Sequence, residues 1–74
     1  MSEVELSEEL HDLPEGSAVL LIGADGLPIN AAFRTRDLEG ELGWALGGIL
    51  EPWTSDKLAA GIIAAKGAYK VVSE

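Results

Sequence analysis

Residues 18 to 34, AVLLIGADGLPINAAFR, set two apolar runs on either side of Asp25-Gly26. Glycine accepts the positive φ that the second position of a tight two-residue turn demands, and aspartate tolerates it at the first, so the stretch predicts a β-hairpin. With that turn, Ala18, Leu20 and Ile22 face Phe33, Ala31 and Ile29 on one side of the ribbon. Val19, Leu21 and Gly23 face Ala32, Asn30 and Pro28 on the other. The first strand is therefore apolar on both faces, the pattern of a strand covered twice, and something must pack on each.

Upstream, residues 1 to 5 are expected to fray. Ser7 is placed to cap a short helix, with Glu8 and Glu9 in a first turn that favours anions and Leu6, Leu10 and Leu13 at helical spacing. Pro14 ends it. Two turns do not hold alone in water, so those leucines must be pinned to one face of the sheet.

Downstream, Thr35 or Asp37 opens what projects as a second helix, with Leu38, Leu42, Ala45, Leu46, Ile49 and Leu50 on one face. Gly40, Gly47, Gly48 and Trp44 fall on the opposite face. Glycine costs about 1 kcal/mol against alanine inside a helix, so this face predicts close approach of another backbone, with an outward Trp44 as its anchor. Gly43 and Gly47 have the small-xxx-small spacing that brings helices together. Pro52 ends this helix, and Trp53 begins the connection that follows it. Residues 56 to 66, DKLAAGIIAAK, read as a helix capped by Thr54 or Ser55, or as a strand leading through Lys66-Gly67 into a strand over 68 to 73. The four alanines favour the helix.

Thirteen acidic against five basic residues give a net charge of -8, which disfavours nucleic acid and anionic membrane as direct partners. Residues 1 to 15 hold Glu3, Glu5, Glu8, Glu9, Asp12 and Glu15 with no lysine or arginine. Without cysteine there is no disulfide, thiol nucleophile or cysteine zinc site, a composition that fits the cytoplasm. No apolar run is long enough to span a bilayer.

Chemistry is absent from the pattern. His11 beside Asp12 supplies neither a reachable nucleophile nor a metal-ligand set. The carboxylate pairs Glu8/Glu9 and Glu39/Glu41 lie on solvated helix faces, and Gly61 to Gly67 lacks the Lys-Ser/Thr ending of a phosphate loop. No cofactor or metal is expected. Arg34 and Arg36 leave the second strand on one face, where they either clamp a partner's carboxylate or pair with Glu39 or Glu41.

A short acidic helix, a Leu13-Pro14-Glu15-Gly16 entry, a strand-Asp25-Gly26-Leu27-Pro28-Ile29-strand hairpin and the Ala/Gly/Leu-rich run 38 to 50 follow in order. This order resembles the start of Roadblock/LC7 domains, small dimeric modules found in dynein light chains and in prokaryotic regulators of small GTPases. The likeness rests on Leu10, Leu13, Ala18 to Ile22, Asp25 to Ile29 and Leu38 to Leu50. It implies a central helix followed by strands, hence a strand over 58 to 65. It further implies homodimerisation through the central helices and an edge strand, and contact with GTPases or adaptors without catalysis.

The sequence thus predicts one small α+β domain over residues 1 to 74: helix, antiparallel hairpin, Gly/Ala-rich helix, a helix or strand, and a final strand, in a three- or four-stranded sheet. The expected function is a non-enzymatic protein interaction module, homodimeric through Gly40, Trp44, Gly47, Gly48 and Trp53, with Arg34 and Arg36 alongside. The alternative is a small acidic effector, for example phage-encoded, that inhibits a host protein or occupies a nucleic-acid-binding surface through its carboxylates.

Overall fold

The computed structural model describes residues 2–73. The elements in chain order are α1 (Glu3–His11), β1 (Ala18–Ile22), β2 (Pro28–Arg36), β3 (Leu42–Leu46), α2 (Ser55–Ala64) and β4 (Ala68–Ser73). The four strands form one antiparallel sheet in the order β3-β2-β1-β4, an α+β fold as the sequence predicts.

The hairpin pairs as its sequence dictates from Ala18↔Phe33 to Leu21↔Asn30, then slips so that Ile22 meets Pro28. The slip comes from the turn. Gly23 N donates to Leu27 O and Gly26 N to Gly23 O, so the loop has three residues, Ala24 to Gly26, with only Gly26 at positive φ. This corrects the expected two-residue turn: a reverse turn followed by one left-handed glycine makes a bulge at the strand end.

The same device explains the largest departure from expectation. Asp37 N donates to Glu41 O and Gly40 N to Asp37 O, with Gly40 at φ +84°. The Asp37 carboxylate also accepts from Glu39 N and Glu41 N. Residues 37 to 41 are therefore a second hairpin turn built like the first, and 42 to 46 run on as β3, not as a helix. An aspartate that caps a helix equally closes such a turn, and the left-handed glycine decides for the turn.

Two more corrections concern the helices. Ser2, not Ser7, caps α1, accepting from Glu5 N, and ordered helix begins at Glu3, inside the segment expected to fray. Ser7 is instead buried mid-helix and donates to Asp56 at the start of α2. Residues 55 to 64 are helical, capped by Thr54, as alanine propensity favours and against the strand that the Roadblock/LC7 likeness implies.

Both helices pack on one side of the sheet. Leu6 and Leu10 of α1 and Leu58, Ala59 and Ile62 of α2 bury against Val19, Leu21, Ala32, Trp44 and Leu46. Leu13 packs half-buried beside them, so the three leucines are pinned to the core as expected. The opposite side of the sheet has no helix on it, which corrects the expectation that β1 is covered twice. Among the described residues, no helix is long and apolar enough to cross a membrane.

Candidate functional site

The residues expected to form an interface do not share a surface. Trp44 is wholly buried (0% exposed), because β3 pairs with β2 and directs alternate side chains toward the helices. Its indole Nε1 donates to Ser55 Oγ at 3.0 Å. Trp53 is half-buried and exchanges backbone hydrogen bonds with Trp44 at the outer edge of β3, while Lys57 lies 4.8 Å from its ring centre. Gly40 and Gly48 each sit at positive φ in turns, and Gly47 lies against Asn30, where an added Cβ would stand 2.9 Å from Oδ1. Their glycines serve the backbone and close packing, not a helix pairing.

Arg34 and Arg36 separate as well. Arg34 is 2% exposed and its guanidinium donates from Nη2 to His11 O (3.0 Å), from Nε to Leu13 O (3.3 Å) and from Nη1 to Ser55 Oγ (3.4 Å). Two of these acceptors are carbonyls at the C-terminal end of α1, where the helix dipole is negative, so the helix end stands in for a carboxylate. Burial, and then the neighbouring Arg36, hold the Arg34 pKa below its ordinary value. Arg36 forms the ion pair the sequence expected within the chain, but with Glu15 (2.9 Å) rather than Glu39 or Glu41. Its Nη1 also closes on Gly40 O.

His11 is exposed, with Nδ1 3.4 Å from Arg34 Nη2. Among the described residues no group of three histidines or acids is placed to hold a metal ion.

What the structure does assemble is an open sheet face. Alternation places Ala18, Leu20, Ala31, Phe33, Thr35, Ala45, Lys70 and Val72 on the side away from the helices, while at the hairpin end, beyond the register slip, Ile22, Ile29 and Ala68 line a cleft that α2 also borders. Phe33 is 53%, Ile29 61% and Val72 58% exposed, and Leu38 and Leu50 project fully from the flanking loops. Lys70 is the one ionisable residue among these described strand positions, although the chain carries thirteen acids, and Asp37 and Glu39 lie at the rim beside Leu38 and Leu50. The alternation that defines this face is legible in the sequence, but nothing local says that the second layer is missing.

At the β3 edge of the sheet, Trp53 bridges to Trp44. No protein family matches the sequence, and neither a curated protein nor a solved structure matches it.

Proposed function

We propose that the chain is a non-enzymatic protein interaction module that pairs with a second copy of itself, sheet on sheet, through the open face. The observation that carries this reading is the exposure of Phe33 and Val72 on a face whose described strand positions hold no acidic residue. An identical copy meets it without desolvating a carboxylate, whereas approach through any other side of a chain of charge -8 brings acids together. Twisted antiparallel sheets pack in this way with their strands nearly aligned.

The size of the face sets the strength. Four strands spaced about 4.8 Å and five residues of about 3.3 Å each give roughly 300 Å² in projection, short of the ~800 Å² per partner of a standard interface. Leu38 and Leu50 extend it at the rim. The pair is thus a weak and reversible one, and the cytoplasm suits a cysteine-free scaffold of this kind.

Sedimentation across concentration, at low and high salt, tests the proposal. The native chain is expected to pass from monomer to dimer without loss at high salt, and Phe33→Glu to stay monomeric while keeping its fold. A native chain that stays monomeric at millimolar concentration, or a Phe33→Glu variant that still pairs, overturns it.

A further inference from the structure

α2 lays Leu58, Gly61, Ile62 and Ala65, one stripe at helical spacing, over the hairpin end of the sheet. α1 packs elsewhere and contributes nothing there, so α2 roofs this end alone. Beneath it lies a cleft of about 240 Å³ floored by Leu21, Asn30 and Leu46 and flanked by Ile22, Ile29, Trp53 and Ala68.

Three features give the cleft its chemistry. None of its lining residues ionises. Of the polar side-chain atoms here, those of Asn30 are engaged, Nδ2 donating to Gly47 O and Oδ1 accepting from Ala31 N, which leaves the Trp53 indole N–H as the other donor. Finally, Gly61 has no positive φ, and an added Cβ would meet only Trp53 Cζ3 at an ordinary 3.4 Å. The backbone does not need glycine at position 61, and glycine weakens a helix relative to alanine. What its absent side chain provides is room beside the Trp53 ring.

We propose that this cleft binds a small uncharged apolar molecule, one aromatic ring with a short alkyl chain being the class that fits. A buried apolar cavity of about 150 Å³ already accommodates benzene, so the space exceeds a bare ring. With no ionisable lining residue, a carboxylate or an amine would enter the cleft unpaired and at a desolvation loss.

Titration with n-butylbenzene, followed by calorimetry and by the amide resonances of Gly61, Ala65 and Ala68, tests the assignment. Saturable one-to-one binding is expected, with shifts confined to the lining residues. Gly61→Leu, which fills the space, should weaken binding at least tenfold. Ala65→Leu, filling it from the next turn, serves the same end if Gly61→Leu does not fold. Phe33→Glu, on the other side of the sheet, should leave binding unchanged, which separates this site from the proposed self-association. Absence of saturation up to the solubility of the probe, unchanged binding in the filled variant, or loss of binding in Phe33→Glu overturns it.

Discussion

Arg34 and Trp44 stand opposite each other on β2 and β3, with the guanidinium carbon of Arg34 5.3 Å from the centre of the Trp44 ring. Both donate to Ser55 Oγ, so sheet and α2 meet at one hydroxyl while the same guanidinium holds the end of α1. The cation is satisfied by a ring face, a hydroxyl and helix-end carbonyls. Removing it leaves acceptors without donors in a closed space. Arg34→Ala is expected to cost about 3 kcal/mol in urea unfolding, from lost hydrogen bonds to a charged group plus the cavity. Arg34→Lys, which cannot reach all three acceptors, should fall between.

Trp44 is a core residue, and its substitutions follow that rule. Trp44→Glu is expected to abolish folding, because it buries an unpaired carboxylate. Trp44→Phe keeps most of the ring and removes one of the two donors to Ser55 Oγ, at about 1 kcal/mol. Circular dichroism across a denaturant series distinguishes the two.

The end of α2 holds opposite predictions at adjacent positions. Lys66 adopts φ 54°, while Lys66 N and Gly67 N donate back to Ile63 O and Ile62 O in the closing turn of the helix. Glycine is the usual occupant of that left-handed position, so Lys66→Gly should stabilise by about 1 kcal/mol. At Gly67 an added Cβ would fall 2.0 Å from Ile22 O, which is backbone and cannot yield cheaply. Gly67→Ala should therefore destabilise by about 3 kcal/mol, read as a lower thermal midpoint.

Tyr69 links β4 to α1 through a 2.6 Å hydrogen bond from its hydroxyl to Glu9 Oε1. Burial, then the hydrogen bond and charge of Glu9, push its pKa up to about 12. The folded state thus favours the neutral phenol, whereas the unfolded chain releases the proton near pH 10. The stabilisation is complete below about pH 10 and is lost as pH rises toward 12. The stability difference between the native chain and Tyr69→Phe should therefore shrink over that interval, and a flat difference would refute the linkage.

Local chemistry fixed much of this fold in advance. Apolar alternation around Asp25-Gly26 determined the first hairpin and four of its five pairings, since strand side chains repeat every second residue. Alanine content chose helix for residues 55 to 64, and Leu6 and Leu10 marked the buried stripe of α1. The lack of cysteine excludes a disulfide and a thiol nucleophile from this sequence.

Tertiary pairing decided the rest. Over residues 38 to 50 the apolar spacing fits a helix and a strand alike, and only the Asp37 to Glu41 turn, by offering β3 to the edge of β2, commits the stretch to the sheet. That pairing turns Trp44 inward and makes it core instead of anchor, a direction set by its cross-strand neighbours rather than by its own identity. Likewise, β1 announces that both of its faces are apolar, yet which face receives the helices depends on where α2 crosses from the β3 edge to β4. A side-chain period is local, whereas the side that stays uncovered is a property of the whole packed chain.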